Sequence, residues 1–249
     1  MFHYAGEWYW GVDRLFYLEQ RLRDLSAGGS GAYLVTRPEI DTGNVDASAL
    51  TLDFYPSLNS PYTSIIFDKT IALKDACKIN FNHKPVLPMI MRGVAATTDK
   101  GTYIFFDTKR EGETLSVGFG PTILPIGAPT RHAYAMLPLA YAQGKDEALI
   151  SSLLSAAWRE SIALHTARGM RQAVERAGLD WAEAKQWIGR DDWKDLVAQH
   201  QHEMVEGMGL WGVPSYRLSG PDGEDDLEVW GQDRLWLVAA EIKRRAGGK

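Results

Sequence analysis

Hydrophobic and polar positions repeat with two different periods along this chain of 249 residues. Over residues 13–27, Leu15, Leu18, Leu22 and Leu25 recur at spacings of three and four, and Gly28-Gly29 follows. That pattern predicts an amphipathic helix with a glycine stop. Residues 26–48 are rich in Gly, Ser, Thr and Asp and carry Arg37-Pro38, which predicts a linker. Leu50, Leu52 and Phe54 then alternate with Thr51, Asp53 and Tyr55, a strand closed by Pro56. Asn59-Ser60-Pro61 has the form of a helix start, with Ser60 at the cap and Pro61 in the first helical position. Residues 64–77 continue the helix, and residues 78–82, with Ile79 and Phe81 alternating, predict a second strand. Strand, helix and strand in this order should place the two strands parallel.

The middle of the chain reads as helical over residues 102–113, 131–143, 146–168, 171–176, 180–188 and 191–206, punctuated by Gly144, Gly169, Gly178 and Gly189. Residues 215–218 and 227–230 then predict a hairpin with a polar tip at 219–226, and residues 233–246 a last helix. A small mixed sheet with helices on both faces and a large helical insertion fits this order.

One internal repeat organises the ends. Trp10-Gly11-Val12-Asp13-Arg14-Leu15 returns as Trp230-Gly231-Gln232-Asp233-Arg234-Leu235, and the match continues with Phe16 and Trp236, Leu18 and Val238, Leu22 and Ile242, Gly28 and Gly248. Residues 1–27, with Ala5-Gly6 as the turn of a short hairpin, therefore resemble the end of a preceding copy of the same domain.

Composition narrows the function. A net charge of -5 gives no basic face for nucleic acid. No 18-residue apolar run would span a membrane. The start, Met1-Phe2-His3-Tyr4-Ala5-Gly6-Glu7, lacks a basic n-region and an apolar h-region, which predicts a cytoplasmic location. Cys77 is the single cysteine, so neither an intrachain disulfide nor a CxxC redox pair exists. It reads as a small buried residue near a helix end. His200, His202 and Glu203 hint at a metal site, but positions two apart diverge on a helix. Gly118-Phe119-Gly120 lacks the third glycine of a dinucleotide loop.

The residues now point to a family. Asn59-Ser60-Pro61-Tyr62, Lys84-Pro85-Val86-Leu87, Gly212-Val213-Pro214-Ser215 and Trp230-Gly231-Gln232-Asp233-Arg234-Leu235 lie in order, with Lys100, Tyr103, Asp107 and Arg110 between them. Together they resemble the 2-hydroxychromene-2-carboxylate isomerases, which belong with the kappa-class glutathione transferases in the DsbA-like branch of the thioredoxin fold. The resemblance spans about residues 50–245. It implies an α/β fold, a thioredoxin-like mixed sheet with a large all-helical insertion, here preceded by an extra N-terminal hairpin-helix fragment. Residues 1–48 would hold that fragment and linker. Residues 49–249 would form the domain, with 49–83 and 207–249 as the thioredoxin core and about 100–206 as the insertion.

The resemblance also implies glutathione as cofactor, a small-molecule substrate, often a homodimer, and a Val213-Pro214 peptide in cis. The activity implied is a glutathione-dependent isomerase or transferase. Ser60 would hold the glutathione thiol where dithiol relatives keep a cysteine. Pro61, Tyr62, Val213, Pro214, Gln232 and Asp233 would bind the tripeptide, and Lys100, Tyr103, Asp107 and Arg110 would meet the substrate. Two substrate-side asparagines common in the family are missing, with 96–100 and 129–131 standing in their places. This departure supports the alternative of a catalytically silent thioredoxin-like module for binding or assembly. By their local pattern alone, Ser60 and Asp233 are helix caps, Pro214 is a turn proline, and Lys100 to Arg110 form a solvated ion-pair stripe.

Overall fold

The computed structural model describes every residue except Thr42, Asn44, Ala96, Gly248 and Lys249. The Gly28–Gly248 match of the repeat, and the Ala96 end of one substituted stretch, thus lie outside the described residues. The chain falls into two compact units, Met1–Asp41 and Thr42–Lys249.

The first unit is a hairpin of β1 (Phe2–Tyr4) and β2 (Glu7–Tyr9), a 3-10 turn (Val12–Arg14) and helix α1 (Leu15–Asp24). Ala5 and Gly6, both at positive φ, make the tight turn. The stretch expected as linker is partly tied down. Glu19 on α1 accepts the Leu34 and Val35 N–H groups at 2.9 Å, and Arg23 donates to the Ala32 carbonyl at 2.7 Å.

The second unit is built on β3 (Thr51–Tyr55), α2 (Pro61–Cys77), β4 (Asn80–His83), β5 (Ser215–Ser219), β6 (Leu227–Trp230) and α10 (Leu235–Arg245). The sheet order is β4-β3-β5-β6. As the strand–helix–strand pattern predicts, β3 and β4 run parallel, and the β5–β6 hairpin joins β3 antiparallel. Between β4 and β5 lie α3 (Thr98–Thr114), α4 (Ala128–Ala135), α5 (Leu137–Ala142), α6 (Asp146–Trp158), α7 (Ala167–Arg176), α8 (Trp181–Ala184) and α9 (Trp193–His202). This is a thioredoxin-like mixed sheet with a helical insertion.

The pleat sorts the strand residues. Leu52, Phe54, Tyr216 and Leu218 are fully buried on one face, where Phe54 lies 5.6 Å from Phe67 of α2. Thr70 of α2 meets the Tyr216 hydroxyl at 3.3 Å. Asp53, Tyr55 and Arg217 face the other way, toward Glu203 at the end of α9.

Three helix expectations change. The 146–168 helix stops at Trp158, because the Trp158 and Ala157 carbonyls accept from Gly120 and Ile123 of an incoming loop and Ser161 turns at φ 53. Gly169 then lies inside α7 instead of ending a helix: a Cβ there would sit 2.3 Å from the Ala163 carbonyl oxygen. The 131–143 helix is two, α4 and α5, with Pro138 in the first turn of the second.

Candidate functional site

The loop from β3 into α2 is where backbone, helix end and insertion converge. Ser60 caps α2 in an extended conformation, its Oγ accepting the Thr63 N–H at 3.1 Å, and Pro61 follows in the first turn. The preceding residues are pinned from the helical insertion. The Trp158 indole donates to the Leu58 carbonyl at 2.9 Å. The Tyr134 hydroxyl accepts the Leu58 N–H at 3.2 Å and donates to the Val86 carbonyl at 2.8 Å. Burial pushes that phenol up to about 12, so it stays a neutral donor.

Across from Ser60 runs the loop into β5. The Val213–Pro214 peptide is cis, and the Ser60 hydroxyl donates to the Val213 carbonyl at 3.4 Å. Ser60 is only 7 % exposed. Trp211 and Trp230 flank this loop with ring centroids 4.7 Å apart, both partly exposed, and the Lys100 ammonium sits 5.3 Å from the Trp211 ring. Gly212 makes that approach possible: a Cβ there would lie 2.0 Å from the Trp230 indole. Arg92 ties the two loops together, donating to the carbonyls of Leu87 and Trp211.

Three of the four α3 residues meet at one buried carboxylate instead of lining a solvated stripe. Asp107 is 1 % exposed and accepts from Tyr62 at 2.7 Å, Tyr103 at 3.2 Å and Arg110 at 2.7 Å. Tyr62 is therefore joined to Tyr103 and Arg110 through one carboxylate, while Lys100 points to the Trp211 platform. One turn along, the buried Glu111 accepts from Gln232 Nε2 at 2.7 Å. Gln232 Oε1 is buried with no hydrogen-bond partner among the described residues. Asp233 follows in the 3-10 turn Gln232–Arg234 that leads into α10.

A second charged cluster escaped the sequence reading. Asp53 on β3, 2 % exposed, accepts from Asn82 at 2.7 Å, Lys84 at 2.9 Å and Arg217 at 3.0 Å. Burial opposes its ionisation, but these donors outweigh it and hold its carboxyl below the usual carboxylate range. Lys84 also pairs with Glu203 at 2.7 Å, whose carboxyl is likewise lowered against the cost of burial. The available signal was register: Asp53, Asn82 and Arg217 occupy matched positions on adjacent strands.

His200, considered above for a metal, is buried with Nδ1 3.0 Å from the Pro85 carbonyl oxygen, and burial lowers its pKa. Among the described residues no group of His, Cys, Asp and Glu is placed to hold a metal ion. No helix among them is long and apolar enough to cross a membrane.

A helix capped by serine opposite a cis-proline loop, on a β4-β3-β5-β6 sheet, defines a thioredoxin-class protein. Residues 51–243 match the DsbA-like thioredoxin domain, and the chain belongs to that family. Among solved structures it is similar to a 2-hydroxychromene-2-carboxylate isomerase, at 18% identity and a TM-score of 0.62, covering 78% of this chain and 95% of that one. It is similar to a probable DsbA oxidoreductase from Streptomyces coelicolor, at 15% identity and a TM-score of 0.58, covering 80% and 91%. The cytosolic disulfide reductase DsbM from Pseudomonas aeruginosa, solved with GSH, aligns at 14% identity and a TM-score of 0.56 over 78% and 99%. These identities show a shared fold. No curated protein matches the sequence.

Proposed function

We propose that the chain is a glutathione-dependent isomerase or transferase that holds a glutathione thiol in front of Ser60. One observation carries the reading: the capping hydroxyl of α2 faces the Val213 carbonyl beside the cis peptide. The only cysteine, Cys77, is buried at the opposite end of the same 17-residue helix. At 1.5 Å per residue that is roughly 24 Å away.

Bound glutathione would supply the thiol nucleophile that the chain itself lacks at this end of α2. The residues fit such a guest. The positive end of the α2 dipole favours an anion, which lowers a thiol pKa. Ser60 adds a hydroxyl donor, with Pro61 and Tyr62 as the adjoining wall. The Val213 backbone next to Pro214 offers an edge to an extended peptide. Gln232 Oε1 lacks a donor, and an ammonium such as that of a γ-glutamyl group would satisfy it; Asp233 adds a carboxylate at the same helix start. On the substrate side, Lys100 over Trp211 suits a flat anionic molecule, with Tyr103, Asp107 and Arg110 holding Tyr62 in place.

Calorimetric titration with glutathione tests this: binding at or below millimolar concentration is expected, and no heat there overturns it. Ser60→Ala should then raise the pKa of the bound thiol, and an unchanged value removes Ser60 from the chemistry. Part of the same reading is a homodimer, which a monomer mass in sedimentation would remove.

The burial of Ser60 favours a second reading, a catalytically silent module for binding or assembly, since its hydroxyl is engaged by Thr63 and Val213. Under that reading glutathione does not bind, and Ser60→Ala costs only a cap. For residues 1–27, ahead of the linker that runs to 48, we infer descent from the end of a preceding copy of the domain. A chimera carrying residues 230–245 in place of the more exposed 10–25 should keep the amino-terminal helix, and loss of that helix would count against that descent.

A further inference from the structure

We propose that the open edge of β4 captures the free amino-terminal end of an extended peptide, as one further antiparallel strand whose α-ammonium rests on Asp146. In the order β4-β3-β5-β6, β4 has a strand partner on one side only. Asn80 and Lys84 donate their N–H groups to the Leu50 and Phe54 carbonyls, at 3.1 and 2.8 Å. Backbone groups along a strand alternate in direction, so Phe81 and His83 turn theirs away from β3, to the open side. The His83 carbonyl accepts the Tyr141 hydroxyl of α5 at 2.5 Å, as that direction requires. The Phe81 N–H and C=O and the His83 N–H have no hydrogen-bond partner among the described residues.

A groove of about 380 Å³ lies against this edge, lined by residues 81–84, by α5 and the start of α6, and by Leu196 and His200 of α9. Its volume is within the usual range for ligand sites. An exposed strand edge beside a groove suits strand addition, in which main-chain hydrogen bonds supply the affinity. The four residues of β4 span about 13 Å, enough for a peptide of about four residues. Ser60, Val213 and Gln232 do not line the groove.

Two features select the end of a chain over its middle. The Tyr141 hydroxyl already holds the open side of the His83 carbonyl, so an added strand has to stop there. Burial and the nearby Asp146 raise the Tyr141 phenol, which keeps it a neutral hydroxyl. Asp146 stands at the same point: its Oδ2 lies 2.7 Å from His83 Nδ1, and its Oδ1 has no hydrogen-bond partner among the described residues. The other charges at the groove are committed. Glu147 lies 2.7 Å from Lys74, and Lys84 lies 2.9 Å from Asp53 and 2.7 Å from Glu203. Burial lowers the His200 pKa, so that ring adds no charge at neutral pH. A carboxylate end would face the Asp146 acid, whereas an ammonium end pairs with it. An amino end at His83 makes the strand antiparallel to β4, with a residue further along exchanging both bonds with Phe81.

Titrating the full chain with Ala-Val-Thr-Val-amide, a peptide with a free amino end, tests the proposal by amide NMR. Binding at low-millimolar concentration or below is expected, with the largest shifts at the Phe81 and His83 N–H groups. Acetylating the amino end should weaken binding about tenfold or more. Asp146→Asn keeps an oxygen for the His83 ring and removes the charge. It should weaken the free-amino peptide about tenfold and leave the acetylated one unchanged. No binding at about 10 mM, equal affinity after acetylation, or equal losses for both peptides in Asp146→Asn would overturn the proposal. The acetylation arm uses the native chain, so it decides even where Asp146→Asn fails to fold.

Discussion

The two ends of the chain carry the same local design with opposite degrees of burial. At each, a short hairpin ends in an exposed tryptophan, Trp10 or Trp230. A glycine at positive φ follows, Gly11 or Gly231, then a 3-10 turn and a helix. In α10, Leu235, Val238 and Ile242 are fully buried; their counterparts in α1, Leu15, Leu18 and Leu22, remain partly exposed. The first residue of the 3-10 turn differs most: Gln232 is 3 % exposed and Val12 is 70 % exposed. The local sequence is thus sufficient for hairpin, turn and helix. Burial of the helix stripe depends on α2 and on the sheet that β5 joins, which only the carboxy-terminal copy has in its own unit.

The largest expected effect tests that dependence directly. Leu235→Ala or Ile242→Ala removes a fully buried side chain and should cost about 2–5 kcal/mol in denaturant unfolding. Leu15→Ala or Leu22→Ala, at the matching positions, should cost about 1 kcal/mol or less. Equal losses at both ends would break the comparison.

A somewhat smaller loss is expected in the sheet that makes the difference. Asp53→Asn removes the charge that Lys84 and Arg217 share and should cost about 2–4 kcal/mol, since Arg217 loses the carboxylate it donates to and Lys84 keeps only Glu203. The sign with pH follows from the lowered Asp53 carboxyl. A depressed acid contributes stability above its unfolded value of about 3.9, and that contribution disappears as pH falls through the folded value. Between about pH 6 and about pH 3, the urea midpoint of the native chain should therefore fall more steeply than that of Asp53→Asn. Parallel slopes would show that Asp53 is not held in its charged form.

These two regions also show what a sequence discloses. The order of strands and helices was legible because period and punctuation are local: Leu50 to Tyr55 alternate, and Ser60-Pro61 starts a helix wherever it stands. The Trp-Gly-x-Asp-Arg-Leu repeat was legible for the same reason, and both copies do form the same turn. Ser60 facing Val213 came from family motifs, since 153 positions separate the two in the chain. Burial was less legible. The Lys100 to Arg110 spacing reads equally as a solvated stripe, and Asp107 is buried where α3 packs on α2 and Tyr62 reaches its carboxylate. The Asp53 cluster needs the registers of β3, β4 and β5 at once, which no local pattern contains. The overlong 146–168 helix fails on the same ground, because a loop 34 to 38 positions earlier takes its last carbonyls.

The turn position where the two copies diverge offers a sharper exchange. Gln232→Val writes the amino-terminal residue into the buried copy and deprives the buried Glu111 of its Nε2 donor, for an expected cost of about 1–3 kcal/mol. Val12→Gln, the reverse change at an exposed site, should alter stability by about 0.5 kcal/mol or less. A large effect of Val12→Gln would mean that the two turns share more than local geometry.

Ser60 has no counterpart in the amino-terminal copy, whose sequence holds only the closing hairpin and helix. Its role must be separated within one residue. Ser60→Ala loses the acceptor for the Thr63 N–H and should cost about 1 kcal/mol, whereas Ser60→Asn keeps a capping oxygen and should stay within about 0.5 kcal/mol of the native chain. If stability follows that order while glutathione affinity falls in both variants, the hydroxyl serves the ligand and the cap serves the fold. Affinity tracking stability instead would assign Ser60 to the helix alone, and the end of α2 would then differ from the α10 end only in how its backbone is closed.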